Sequence, residues 1–237
     1  MNNSMKNSLL VMLLLGAPLA SNAALVTSCG TSVCYKYDDA QTTSFGTPTF
    51  SDDSVSFTPT ALRAESLNAQ QSPVNFSSSF FFDQVYANTG YEISSIQVSE
   101  SGNYRIYRDN SGSPDTVSAS LSTTIANLLS SESVSDTVSL TRSGNSGGVQ
   151  LWGLQSNALN PASAFTSNAQ GVSLLIQDDL SAFTDELGGL AWIQKTYLLS
   201  VAAASRATTN VPEPSGMALM LAGLSIAGVL YRLRRSV

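Results

Sequence analysis

One serine stands in a pattern suited to nucleophilic catalysis. Gly144-Asn145-Ser146-Gly147-Gly148 satisfies Gly-x-Ser-x-Gly, the sharp turn that lifts a serine oxygen above a sheet for acyl transfer. Such a serine needs a base to take its proton. The chain contains no histidine, which excludes Ser-His-Asp and Cys-His catalysis, histidine-bound zinc and a histidine pH switch together. The remaining bases, Lys36 and Lys195, stand in no Ser-x-x-Lys arrangement. Residues 144–148 therefore read as a turn.

Carboxylates offer a second chemistry. Asp38-Asp39, Asp52-Asp53, Asp178-Asp179 and Asp185-Glu186 are adjacent pairs, and two carboxyl groups on facing elements can cleave a glycosidic bond. Adjacent residues on a strand point to opposite faces, so solvated loop charges account for the pairs equally well. Asp109, Asn110, Ser111 and Asp115 form an oxygen-rich set that suits calcium, although the spacing is not that of an EF-hand loop. A turn whose side chains bond their own backbone explains the same residues. Trp152, Trp192, Tyr104 and Tyr107 would stack on sugar rings if exposed, or fill a core if not. Asn75-Phe76-Ser77 has the form of a glycosylation acceptor and is read as carrying no glycan. No catalytic residue, cofactor or firm metal set emerges, and the chain is read as non-enzymatic.

Composition narrows the partners. The net charge is −6 and only 12% of residues are charged, while Lys36, Arg63, Arg105, Arg108, Arg142, Lys195 and Arg206 are scattered along the body. No basic stripe exists to displace phosphate counterions, which argues against nucleic acid. Serine and threonine make up about a quarter of the chain, a composition of exported β-rich proteins. Cys29 and Cys34 enclose Gly-Thr-Ser-Val and are expected to close a small disulfide loop in an oxidising compartment, worth about 2 kcal/mol.

The two ends carry addresses. Lys6, the apolar run Leu9 to Leu15, the breakers Gly16 and Pro18, and Ser21-Asn22-Ala23 make residues 1–23 a secretory signal peptide, cut by signal peptidase between Ala23 and Ala24. Residues 208–237 form a tail with three parts: Val211-Pro212-Glu213-Pro214, an apolar helix over 217–231, and Arg232, Arg234 and Arg235 in the basic end 232–235. The prolines keep the motif extended, and an apolar stretch of about 15 residues covers roughly 22 Å, so it spans a bilayer only if Tyr231 and the arginines snorkel. Those arginines hold the C-terminus in the cytoplasm and place the body on the far side. The tail resembles the PEP-CTERM sorting signal of Gram-negative bacteria in all three parts. The resemblance implies exosortase as a partner, transient residence in the inner membrane, removal of the tail, and delivery to the cell surface or to a matrix of extracellular polysaccharide. An ordinary single-pass anchor holding a periplasmic domain is the alternative.

Positioning any of these residues falls to the body, 24–207, which is expected to be one domain. Period-two alternation recurs at Val55 and Phe57; Val74, Phe76, Phe80 and Phe82; Val117, Ala119 and Leu121; Val138 and Leu140; Val172, Leu174 and Ile176; and Tyr197, Leu199 and Val201. The phase change between Ile93 and Ile96 predicts a bulge at Ser94-Ser95. Ser101-Gly102-Asn103 reads as a hairpin turn, residues 109–115 as a loop, and Thr123 to Ser131 as the one helix. The pattern predicts an all-β fold, an antiparallel β-sandwich or jelly roll. Three functions fit: a surface or matrix protein, a lectin-like carbohydrate-binding module that uses calcium if Asp109, Asn110 and Asp115 hold an ion, and a tail-anchored periplasmic domain.

Overall fold

Alternating apolar and polar residues bury one face of an extended backbone and wet the other, which makes sandwiched sheets the natural home for this chain. The structure, a computed structural model, describes residues 24–41, 45–59, 62–70, 72–107, 114–166, 171–185, 187–196 and 199–208. In chain order the strands are β1 (Leu25–Cys29), β2 (Val33–Asp38), β3 (Thr49–Ser51), β4 (Ser54–Phe57), β5 (Arg63–Leu67), β6 (Val74–Ala87) and β7 (Tyr91–Tyr107). They continue with β8 (Thr116–Asn127), β9 (Ser133–Ser143), β10 (Gln150–Gln155), β11 (Gly171–Phe183), β12 (Leu190–Lys195) and β13 (Leu199–Ala207). A single turn of helix, α1 (Pro161–Ala164), is capped by the Asn160 side chain, which accepts from the Ala162 and Ser163 N–H groups.

The strands form two antiparallel sheets, β1-β2-β6-β11-β8-β9 and β3-β4-β13-β7-β12-β5, with β10 also paired to β7. Between them lies a core with two parts. The larger gathers Tyr35, Phe45, Phe57, Phe80, Phe82, Ile96, Val98, Leu174 and Ile176. Its aromatic rings pack edge-on or tilted, with Phe57 and Phe80 centroids 4.7 Å apart. The smaller gathers Ile106, Val117, Trp152, Leu180, Ala191 and Ile193.

β7 is the strand that organises the second sheet. Ser99 pairs with both Ser200 and Gln155, and Asn103 with both Gln194 and Leu151, so β10 lies along one edge while β13 and then β12 succeed each other along the opposite one. The expected bulge is present: Ala204 faces Ser95 and Ser205 faces Ile93, leaving Ser94 as the extra residue. Ile93 and Ile96 consequently both point into the core. Two expectations are corrected. Ser101-Gly102-Asn103 is no turn but the middle of β7, and the segment Thr123 to Ser131 is not a helix but the end of β8 and the turn after it. The β8 residues Val117, Ala119, Leu121, Thr123, Ile125 and Asn127 are buried in strict alternation, a period that tertiary packing imposes over any local helical preference.

Gly102 is there for close approach. A Cβ on it would lie 2.0 Å from the Gln194 carbonyl oxygen, 2.8 Å from Trp152 Nε1 and 2.9 Å from the Lys195 Cα. Trp152 Nε1 uses that space to donate to the Asn103 and Gln194 carbonyls, at 3.2 Å each. The Cys29–Cys34 disulfide joins facing residues of the β1–β2 hairpin. Its loop docks on the β3–β4 turn, where the Asp53 carboxylate accepts from the Ser32 and Val33 N–H groups at 2.8 and 2.9 Å and from the Ser32 hydroxyl. That latch ties an edge of one sheet to an edge of the other.

Gly102→Ala is expected to destabilise the folded chain by roughly 1–3 kcal/mol or more, since backbone atoms must move, whereas Gly148→Ala, which meets nothing within 4 Å, should stay within about 0.5 kcal/mol. Denaturant midpoints of the two variants give the comparison, and equal midpoints would contradict the close-approach role.

Candidate functional site

The residues that looked reactive in the sequence are mostly spent on structure. Ser146 Oγ accepts from the Ile106 N–H at 3.0 Å and donates to the Gly148 carbonyl at 2.7 Å, so it fastens a turn in which Gly144 and Gly147 have positive φ. Asp38 accepts from the Ala40 N–H, Asp39 from the Ala24 N–H, and Asp52 from the Thr31 N–H. Burial opposes ionisation of Asp53, but the Ser32 hydroxyl and the Ser32 and Val33 N–H groups outweigh it and hold this carboxyl below the usual carboxylate range. Asp185 donates its N–H to buried Asp115. Trp152 is buried, Tyr104 packs against the smaller core cluster, and Trp192 lies under the Arg63 guanidinium at 4.6 Å. Tyr107 is exposed beside Arg105. The calcium candidates Asp109 and Asn110 lie outside the described residues, as do Glu186, the signal peptide with Ala23, and the tail with Val211 to Pro214 and Arg232 to Arg235. Among the described residues no group of three or more His, Cys, Asp or Glu is placed to hold a metal, and no helix is long and apolar enough to cross a membrane.

One pair departs from the solvated-charge reading. Asp179 faces outward and accepts from the Ser77 hydroxyl, but Asp178 faces inward and is buried. It follows Leu174 and Ile176 in the inward series of β11 and precedes Leu180. Glu100 occupies the corresponding place in β7, after Ile96 and Val98, and Lys195 ends the inward series Ala191, Ile193 of β12. The three side chains meet. Lys195 Nζ forms ion pairs with Glu100 Oε2 and with Asp178 Oδ2, at side-chain exposures of 0%, 0% and 2% respectively. The ammonium also lies 5.8 Å from the Phe45 ring centroid.

This cluster is set at the seam of the core. Along β11 the larger hydrophobic cluster ends at Ile176 and the smaller begins at Leu180, with Asp178 at the step. Along β7 it is Glu100 that stands between Val98 and the smaller cluster, opposite the gap where β13 gives way to β12. Apart from the ion pairs, no hydrogen bond from the described residues reaches either carboxyl group or the ammonium. Two carboxylates and one ammonium would leave an uncompensated negative charge in a water-free interior, which is strongly unfavourable. Burial first, and then the Asp178 charge, push the Glu100 carboxyl up to about 9 against the pull of Lys195. At neutral pH Glu100 therefore keeps its proton, and the cluster is neutral overall.

The sign of the resulting pH dependence follows. Unfolded, Glu100 ionises near 4.5; folded, near 9, so between these values the unfolded chain binds fewer protons and stability falls as pH rises. Its contribution is full below the unfolded value and is lost by about pH 9. Denaturation from pH 5 to 9 should show a slope from this group of at most about 1.4 kcal/mol per pH unit, which Glu100→Gln flattens. An unchanged slope in that variant would contradict the assignment.

No curated protein matches the sequence. A family model described as the PEP-CTERM protein-sorting motif matches residues 210–235, the C-terminal tail. The chain therefore carries the PEP-CTERM sorting signal, which implies export, exosortase processing and sorting to the surface of a Gram-negative cell.

Proposed function

We propose that the chain is a non-enzymatic cell-surface or matrix protein, held for a time in the inner membrane by its tail, cut at Val211-Pro212-Glu213-Pro214 and left in the extracellular polysaccharide layer. The match of residues 210–235 to the sorting motif carries this reading. A disulfide-closed hairpin and a serine- and threonine-rich, acidic composition suit an oxidising compartment outside the cytoplasm. The side chains with catalytic spacing in the sequence, Ser146 foremost, are committed to turns and caps, which supports a structural role for the body.

The lectin-like alternative has one observation in its favour. On the outer face of the first sheet, Asn75, Ser77, Ser118, Ser120, Ser139, Thr141, Asp179 and Ser181 line a shallow concavity of about 430 Å³. Its lining offers hydroxyl, amide and carboxylate groups of the kind that bind sugar hydroxyls, without an aromatic platform.

Mass spectrometry of the mature protein from the producing cells tests the first reading. C-terminal peptides should end at or before residue 214, and recovery of a peptide containing Arg234 from the surface fraction would overturn tail removal. Sedimentation with the cell's own polysaccharide separates the second: saturable binding abolished by Asn75→Ala with Asp179→Ala supports the concavity as a sugar site, and unsaturable or unchanged binding contradicts it.

A further inference from the structure

We propose that Lys195 and Asp178 condense to an intramolecular amide, lysine Nζ to aspartate Cγ, with Glu100 moving the protons, so that the two sheets become covalently joined through the core. The proposal concerns the body alone and stands whatever becomes of the tail. Nζ touches a carboxylate oxygen of each acid, and the three groups are closed off from solvent. Rigid strands hold the amine and the acid together, and such enforced proximity gives very high effective concentrations, on the order of 10⁵ M or more. Water, which in solution both dilutes the reactants and hydrolyses the product, is excluded.

Sheet order separates the two acids. Lys195 pairs with Gly102, two residues along β7 from Glu100, so those two side chains already belong to one ladder. Asp178 reaches the same point from β11 in the facing sheet. The carboxyl that burial keeps protonated is Glu100, which makes it the group able to donate to an Asp178 oxygen.

The step balances within the cluster. The ammonium passes one proton to the Asp178 carboxylate, leaving a neutral amine beside a neutral acid. The nitrogen lone pair attacks Cγ while Glu100 donates its hydrogen bond to the developing oxyanion. Glu100 then gives its proton to the departing hydroxyl and takes one from nitrogen. One C–N bond forms, one C–O bond breaks, one water leaves, and Glu100 ends as it began. Two buried charges become a neutral amide, which removes the desolvation penalty that the ion pair carries.

Trypsin provides the test, because the sequence from Ser143 to Arg206 contains Lys195 as its only internal cleavage site. In the reduced, denatured digest of the purified mature chain, the expected product is one uncut peptide of residues 143–206, lighter by one water, with fragment ions linking Lys195 to Asp178. Glu100→Gln, which keeps the neutral cluster, should fold with the same circular dichroism and restore both the missing water and cleavage after Lys195. Cleavage after Lys195 at full mass in the natural chain would overturn the proposal. So would a peptide lighter by one water that still splits at Lys195, the mark of a succinimide at Asp178. A tether from Lys195 to residues 64–105 would place the bond on Glu100 and overturn the roles assigned here.

Discussion

A lysine ammonium cannot sit in a dry protein interior without carboxylate partners, and that requirement fixes the middle of this sandwich. Lys195, Glu100 and Asp178 come from β12, β7 and β11, two strands of one sheet and one of the other. Because the ammonium must meet both acids, the stagger of the sheets is set at this point. The apolar packing divides around it into two clusters. Hydrophobic contact alone tolerates sliding; a paired charge does not. The close approach of β12 to β7 at Gly102, and the Trp152 indole wedged beside it, belong to the same arrangement.

A second set of polar contacts closes the opposite region. The disulfide hairpin of β1 and β2 rests on the β3–β4 turn through Asp53, and the Tyr35 hydroxyl donates to the Asp53 carbonyl at 2.6 Å. The sheets are thus tied once through the Lys195 cluster and once by a capped loop. The address lies in the tail, where the sorting motif matches residues 210–235.

How much of this the sequence disclosed depends on the range of the signal. Local signals read well: the phase slip between Ile93 and Ile96 located the bulge at Ser94, and Cys29 with Cys34 located the disulfide. Gly102 misled, because a glycine between serine and asparagine resembles a turn, while its actual reason lies in Gln194 and Trp152, far along the chain. The β8 segment misled in the opposite way, since its small residues allow either period until a facing sheet selects one. The charged cluster has a weaker signature, spread over three strands. Continuing the series Val172, Leu174, Ile176 by two residues puts Asp178 inside, and the same step from Ile96 and Val98 reaches Glu100. Three inward charges on separate strands imply one meeting point only when the sheet order is known, and pairwise alternation does not supply that order.

The most direct measurement is the pH titration of the Glu100 side-chain carboxyl by carbon NMR in the folded chain while Lys195 and Asp178 are still an ion pair. The signal should hold the value of a protonated acid through neutral pH and move only near pH 9. A Glu100 carboxyl that titrates in the ordinary glutamate range, near 4.5, would mean that this group is solvated, and the buried cluster would not be the constraint that fixes the fold.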